Sequence, residues 1–196
     1  MEENKEEKIL KAAEKVFLSK GFFPARMQDI AEAAGVAKGT LYLYFKDKTS
    51  IYIHLISHRL DDAISMIGMI NKQKTSATEK MARFFDEIAR YFAQAKETTS
   101  FVSIENINLS DELMKKMKVQ VKPKMFKLVD LIAQIVESGI KSNEFKKINP
   151  QITAMYFVHL IPMFFISRMQ FINAKDRNKT IKVLFFDGIK NEKESK

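Results

Sequence analysis

The 196-residue sequence contains no cysteine and no tryptophan, and it has only six glycines, four prolines and three histidines. The absence of cysteine excludes disulfides, thiolate metal sites and a cysteine nucleophile. Three histidines argue against a histidine-rich metal site, and we expect no cofactor. These glycines and prolines are too few to form the turns of a many-stranded sheet. The many lysine, glutamate, methionine, leucine and alanine residues favour helices. We therefore predict an all-α protein.

The net charge of +9 is unevenly distributed along the chain. Residues 1–52 hold nine basic and eight acidic side chains, so most of the positive charge follows residue 52. An overall basic balance is therefore no evidence here for nucleic-acid binding, which has to be argued from local patterns.

Two function classes find little support in the sequence. It shows no nucleophile with a base, no phosphate-binding loop and no metal-ligand spacing, so we do not expect an enzyme. The charged N-terminus is unlike a signal peptide. Residues 151–167 carry no charge, but their polar members and short length favour a buried helix or an oligomer interface over a membrane span. We expect a cytoplasmic protein without a membrane partner.

Apolar residues recur at helical spacing along the chain. The predicted helices are 5–19, 27–34, 38–44, 48–70, 79–96, 101–108, 111–141, 150–172 and 176–189. Short helices give way to long ones near residue 47. We therefore predict an N-terminal three-helix domain with a helix-turn-helix over residues 1–47, and a larger helical bundle over residues 48–196.

Several residues mark where these helices should start or end. Asp47 and Thr78 are predicted N-caps, and Asn149-Pro150 is a strong start signal. Asn143 is a plausible left-handed C-terminal residue. Pro123 should kink or break the helix that contains it.

Residues 27–46, MQDIAEAAGVAKGTLYLYFK, contain two short helices joined by a turn at Gly35. This spacing is typical of a helix-turn-helix, which places its second helix in the DNA major groove. The pattern alone is a weak signal, because tyrosines at these positions could pack and lysines are usually solvated.

The second of these helices supplies most of the candidate DNA-binding residues. They are Lys38, Gly39, Thr40, Tyr42, Tyr44, Lys46 and Lys48. The first three lie near the helix start, where base edges are reached and a glycine lets the backbone approach closely. The tyrosines offer hydroxyl donors to phosphates, and the last two lysines add positive charge at the flank.

Residues 9–48, from ILKAAEKVFLSKGF through DIAEAAGVAKGTLYLYFKDK, resemble the tetracycline-repressor (TetR) family. In similar proteins the positions of Lys38, Gly39, Thr40, Tyr42, Tyr44 and Lys48 meet DNA. The resemblance implies a regulator that binds a double-stranded, pseudo-palindromic operator as a homodimer. It also implies that the remaining residues form a ligand-binding and dimerisation domain.

The sequence departs from the family pattern at two helix N-cap positions. Arg26 stands where the family commonly has threonine or serine, and Ala37 stands where it usually has serine. A lost hydroxyl cap costs about 0.5–2 kcal/mol and removes a phosphate donor. Arg26 either replaces the phosphate contact by its charge or is simply exposed.

The predicted helix 150–172 is apolar on all sides, which one small bundle cannot bury. Pairing it with helix 176–189 in a two-fold four-helix interface would cover it. The predicted dimer-interface residues are Ile152, Tyr156, Leu160, Phe164, Ile181, Leu184 and Phe185.

The resemblance also implies an effector pocket among the later helices. Candidate lining residues are Phe85, Ile88, Phe92, Ile104, Met117, Met125, Phe126, Tyr156, His159 and Met163. Methionine suits adaptable apolar pockets, but a methionine and phenylalanine stripe is also typical of plain core. We expect His159 to be a hydrogen-bonded core or interface residue rather than a metal ligand.

Six lysines and no acidic residue lie between residues 113 and 129. They are placed away from the apolar stripe of the same helix. We predict a solvated face; a membrane surface or a second DNA contact is the alternative.

The residues and the family resemblance together favour a repressor released from its operator by a small, largely apolar effector. Whether the regulator is instead an activator is left open by the sequence. The alternative is a DNA-binding regulator without a small-molecule ligand, controlled by a protein partner or by its abundance.

Overall fold

The computed structural model describes residues 4–94, 111–160 and 173–191. Within these ranges the chain forms nine α-helices. They are α1 (Lys5–Lys20), α2 (Met27–Ala34), α3 (Lys38–Tyr44), α4 (Lys48–Asn71), α5 (Ala77–Gln94), α6 (Asp111–Gln120), α7 (Lys122–Lys141), α8 (Pro150–Leu160) and α9 (Ala174–Ile189). The predicted all-α class is confirmed.

Three local signals define helix boundaries as predicted. The Asp47 carboxylate accepts a 2.6 Å hydrogen bond from the Ser50 backbone N–H and caps α4. Pro150 is the first residue of α8, and the side-chain oxygen of Asn149 accepts from the Ile152 N–H at 3.0 Å. Asn143 adopts the left-handed conformation, with φ of 60°.

Other boundaries differ from the predictions. Ser76, not Thr78, caps α5: its hydroxyl accepts from the Glu79 N–H, and the Glu79 carboxylate accepts from the Ser76 N–H. This reciprocal pair of hydrogen bonds is a capping box. Thr78 carries a hydroxyl group only two residues after Ser76, so the sequence pattern did not show which of the two caps the helix. The break predicted near Pro123 is confirmed, because α6 ends at Gln120 and α7 begins at Lys122. The predicted helix 101–108 lies outside the described residues, as does the second half of helix 150–172.

The described residues divide into two compact units, one containing residues 4–61 and 111–124 and the other residues 62–94, 125–160 and 173–191. The predicted boundary after residue 47 therefore falls inside the first unit. The start of α4 packs into this unit: the ring centre of Tyr52 lies 5.9 Å from that of Phe17 and 5.0 Å from that of Phe22. The Arg59 guanidinium also pairs with the Glu14 carboxylate on α1.

Helix α6 and the first residues of α7 pack on α4 within the first unit. The ammonium group of Lys116 donates to the Ser50 hydroxyl at 3.2 Å. The ammonium group of Lys124 donates to the Ser57 hydroxyl at 2.6 Å and pairs with the Asp61 carboxylate. The prediction of a uniformly solvated lysine face is therefore wrong for these two residues, because α4 supplies acceptors opposite them.

The core of the second unit is an aromatic cluster. Phe84 and Phe85 of α5, Phe157 of α8 and Phe185 of α9 are all buried. The ring centres of Phe157 and Phe185 lie 4.8 Å apart in an edge-to-face arrangement, which favours aromatic pairs. This cluster joins three helices and fixes which faces of α8 and α9 remain outside.

Two kinds of site are missing from the described ranges. No helix in them has the length and apolar character that a membrane span needs. Nor do their histidine, aspartate and glutamate side chains form a group of three that could hold a metal ion.

Candidate nucleic-acid interface

The turn between α2 and α3 depends on Gly35. This residue adopts the left-handed conformation, with φ of 60°, which side chains other than glycine rarely accept. Its N–H donates to the carbonyl oxygens of Ala31 and Glu32, and the Val36 N–H donates to Ala31 at 3.0 Å. The chain therefore leaves α2 tightly and enters α3 three residues later.

One face of α3 is anchored in the first unit. Leu41 and Phe45 are buried, together with Ile30, Ala31 and Ala34 of α2. Because α2 and α3 share this apolar contact, the orientation of α3 is fixed by packing rather than by its own short length.

The rest of α3 faces outward and carries five of the predicted residues, and Lys46 follows its C-terminal end. Lys38, Gly39 and Lys46 are exposed, and Thr40 is half-exposed. Tyr42 and Tyr44 are 46% and 43% exposed, so their hydroxyl groups are accessible to a partner. The structure thus gathers base-edge, phosphate and close-approach candidates on a single short helix, which is what a major-groove reader needs.

Lys48 has surroundings that the sequence did not indicate. Its ammonium group donates to three backbone carbonyl oxygens, those of Phe22 at 2.8 Å, Phe23 at 2.8 Å and Ala25 at 3.0 Å. Burial lowers the pKa of Lys48 below its ordinary value. The residue ties the first turn of α4 to the loop that precedes α2.

Arg26 is the N-cap residue of α2 and is exposed. Its backbone N–H donates to the Asp29 carboxylate at 2.8 Å, so α2 keeps half of a capping box without a hydroxyl. The Lys20 ammonium group, 2.9 Å away, and the Arg26 N–H hold the pKa of Asp29 below its ordinary value. Asp29 and Lys20 thus take part in capping the start of α2, a role that the sequence pattern did not indicate for either residue.

Leu43 is the most exposed large apolar residue of α3, at 85%. Leu43 is not among the predicted contacts, because an aliphatic residue close to Leu41 in the sequence is typical of core. Only the helix spacing, which puts it opposite Leu41, could have indicated otherwise.

The predicted effector-binding residues fall into different environments. Phe85 is buried, Ile88, Met117 and Met125 are half-buried, and Phe126, Tyr156 and His159 are exposed. Met117 belongs to the first unit and the others to the second. His159 lies with its Nδ1 atom 2.6 Å from the Met155 carbonyl oxygen, one helical turn away. The Phe92 side chain, Ile104 and Met163 lie outside the described residues.

The predicted dimer-interface residues divide into an outer and an inner group. Ile152, Tyr156 and Leu184 are 66%, 60% and 70% exposed, whereas Ile181 and Phe185 are buried within the protomer. Leu160 is half-buried, and Phe164 lies outside the described residues. Met155 and Val183 add further exposed apolar surface to α8 and α9.

Comparison with known proteins identifies a matching family and relatives of this chain. Residues 9–55 match the family of bacterial regulatory proteins described as the tetR family. A curated relative, the fatty acid metabolism regulator protein of Bacillus subtilis (strain 168), is 27% identical over 139 residues, 71% of this chain and 70% of the relative.

Solved structures share the fold over nearly the full length. The fatty acid degradation regulator FadR from Bacillus halodurans has a TM-score of 0.77 at 23% identity, covering 96% of this chain and 97% of its own. FadR from Bacillus subtilis in complex with stearoyl-CoA has a TM-score of 0.70 at 24% identity, covering 93% and 98%.

Proposed function

Because the chain is a member of the TetR family of bacterial regulatory proteins, we propose that it is a transcriptional regulator that binds an operator through α3 and is released by an effector. The observation that carries the proposal is the outward face of α3, supported from behind by Leu41 and Phe45. Such a regulator acts in the cytoplasm, where bacterial DNA lies.

We assign different DNA contacts to different parts of this surface. Lys38 and Thr40 read base edges near the start of α3, and Gly39 lets the backbone approach. Tyr42 and Tyr44 donate hydrogen bonds to phosphates, which position the helix without reading sequence. Arg26 and Lys46 add charge at the flank, and Lys48 supports the motif through the loop before α2.

The functional protein is a homodimer in this proposal. The exposed apolar side chains of α8 and α9, among them Ile152, Tyr156 and Leu184, supply its interface. A two-fold axis presents two copies of α3 to successive major grooves, which are about 34–36 Å apart. The operator is then pseudo-palindromic.

The effector is a small, largely apolar molecule bound by the second unit. A long-chain fatty acyl thioester is the first candidate, because the Bacillus subtilis relative is a fatty acid metabolism regulator and one solved relative holds stearoyl-CoA. Release requires that the effector bind more tightly to a dimer shape that does not fit the operator.

The test is a fluorescence anisotropy titration of the protein on a duplex that it has selected from random sequence. Stearoyl-CoA is added to the complex, with coenzyme A alone as the control for charge. We expect stearoyl-CoA to weaken binding at least tenfold and coenzyme A to leave it unchanged. Tight binding that neither compound alters would support the ligand-free regulator instead.

A further inference from the structure

Leu43 lies at the outermost point of α3. Successive helix residues are rotated by about 100°, so Gly39 and Leu43, four apart, share a face, while Leu41 lies about 200° from each. Leu41 is fully buried and Leu43 is 85% exposed. The Gly39–Leu43 face is therefore the side of α3 directed away from the first unit.

Gly39 leaves the space beside Leu43 open. A Cβ atom built on Gly39 would meet no atom within 4 Å. No Leu43 atom lies within 4 Å of that Cβ position, so the leucine side chain and the uncovered backbone of Gly39 lie side by side on this face. An aliphatic group thus projects from the helix where the backbone can come closest to a partner.

The surroundings of this face indicate what it meets. Lys38, Lys46, Tyr42 and Tyr44 flank it with exposed positive charge and hydroxyl donors, which complement phosphates on either side of a groove. The base edges on the floor of a major groove offer one apolar group, the 5-methyl group of thymine. An exposed leucine buries its surface there and gains nothing from polar edges.

We propose that Leu43 is a specificity-determining residue that contacts a thymine 5-methyl group in each operator half-site. This inference rests on the proposed function. It adds to that function the identity of one base in each half-site.

The experiment replaces each thymine of the selected operator by deoxyuridine, which removes only the methyl group. For the wild-type protein we expect one position per half-site to lose affinity, by about three- to fivefold, the scale of one buried methyl group. Leu43→Ala should bind thymine and deoxyuridine at that position equally. Val119→Ala, an exposed aliphatic residue of α6, should keep the wild-type discrimination.

The outcomes separate the two proposals. A wild-type protein that selects no DNA sequence overturns the proposed function and this inference together. A wild-type protein that binds its operator but is indifferent to every methyl group overturns the inference alone. So does a Leu43→Ala protein that keeps the discrimination, or an operator without a thymine in symmetric half-site positions.

Discussion

The ammonium group of Lys48 donates a 2.8 Å hydrogen bond to the Phe22 carbonyl oxygen and lies 4.8 Å from the centre of the same residue's ring. Together with the Phe23 and Ala25 carbonyl contacts, this fixes the loop before α2 against the first turn of α4. A cation engaged in this way has little left to offer a phosphate. We therefore propose that Lys48 contributes to operator binding by holding the loop before α2 in place rather than by contacting a phosphate.

Lys48→Ala should lower the free energy of unfolding by about 1–2 kcal/mol, because three carbonyl acceptors lose a charged donor. It should also weaken operator binding, with an unchanged slope of log affinity against log salt. Lys46→Ala is the matched control: this exposed lysine should leave stability within about 0.5 kcal/mol and reduce the slope by about one. Urea unfolding and salt-dependent anisotropy measure both. A reduced slope for Lys48→Ala would place that lysine on a phosphate instead.

Substitution by alanine should have opposite effects on stability at Gly139 and at Gly68. A Cβ on Gly139 would overlap the Phe145 ring and lie 2.8 Å from the Ala77 side chain, whereas one on Gly68 meets nothing within 4 Å. Gly139→Ala should destabilise the protein by about 1–3 kcal/mol through overpacking. Gly68→Ala should stabilise it by about 0.5–1 kcal/mol, because alanine favours a helix interior. Equal melting temperatures for the two variants would contradict this packing.

Glu144 connects the loop after α7 to the start of α5. Its carboxylate accepts from the Thr78 and Ala77 N–H groups at 2.9 and 3.1 Å. Burial alone would raise the pKa of Glu144, but these hydrogen bonds outweigh it, and the pKa lies below its ordinary 4.5. A group whose pKa is depressed on folding contributes stability above its unfolded pKa, and that contribution is lost as pH falls through the folded pKa.

Glu144→Gln should therefore be less stable than the wild type at pH 7, and the difference should shrink as pH falls below about 4.5. Urea unfolding between pH 3 and pH 7 gives both curves. Glu137→Gln is the control, because Glu137 pairs only across the surface with Lys141 and should leave the pH dependence nearly unchanged. If the free energies of unfolding of Glu144→Gln and wild type differ by the same amount at all pH values, the Glu144 carboxylate does not have this role.

The proposed homodimer interface predicts that a charge on α9 weakens dimerisation. Leu184→Glu places a carboxylate in the proposed interface at a residue that is 70% exposed in the protomer, so the protomer should still fold. Sedimentation velocity should show a shift from dimer to monomer, since an unpaired charge in an apolar interface is costly. Met69→Glu, at a similarly exposed residue of α4, should remain dimeric. A Leu184→Glu protein that remains dimeric would show that α9 does not form the interface.

The sequence predicted those features that short stretches of chain determine. Asp47 caps α4 and Pro150 starts α8 because each acts on N–H groups or backbone angles within a few residues. The motif from α2 to α3 was predictable because Gly35 and the apolar spacing around Leu41 suffice to form it. The failure at Thr78 has the same origin, since two neighbouring hydroxyl residues present the same local signal.

Features that depend on distant parts of the chain were not predictable. The acceptors of Lys48 lie 23–26 residues earlier, and those of Lys124 lie more than 60 residues earlier. Periodicity could place Ile181 and Leu184 on the same helix but not decide which one packs inside the protomer. Phe185 packs on Phe157 of α8, and Ile181, one helical turn earlier, is buried on the same face of α9.

The central claim, that α3 reads an operator, is tested most directly by selection of duplex DNA from a random-sequence pool by the purified protein. We predict enrichment of one pseudo-palindrome whose half-site centres are about 10 base pairs, or a multiple of that, apart. Its affinity should fall steeply with salt and be lost in Lys38→Ala combined with Thr40→Ala. Recovery of no common sequence, or of a sequence that this double variant binds equally well, would contradict the account.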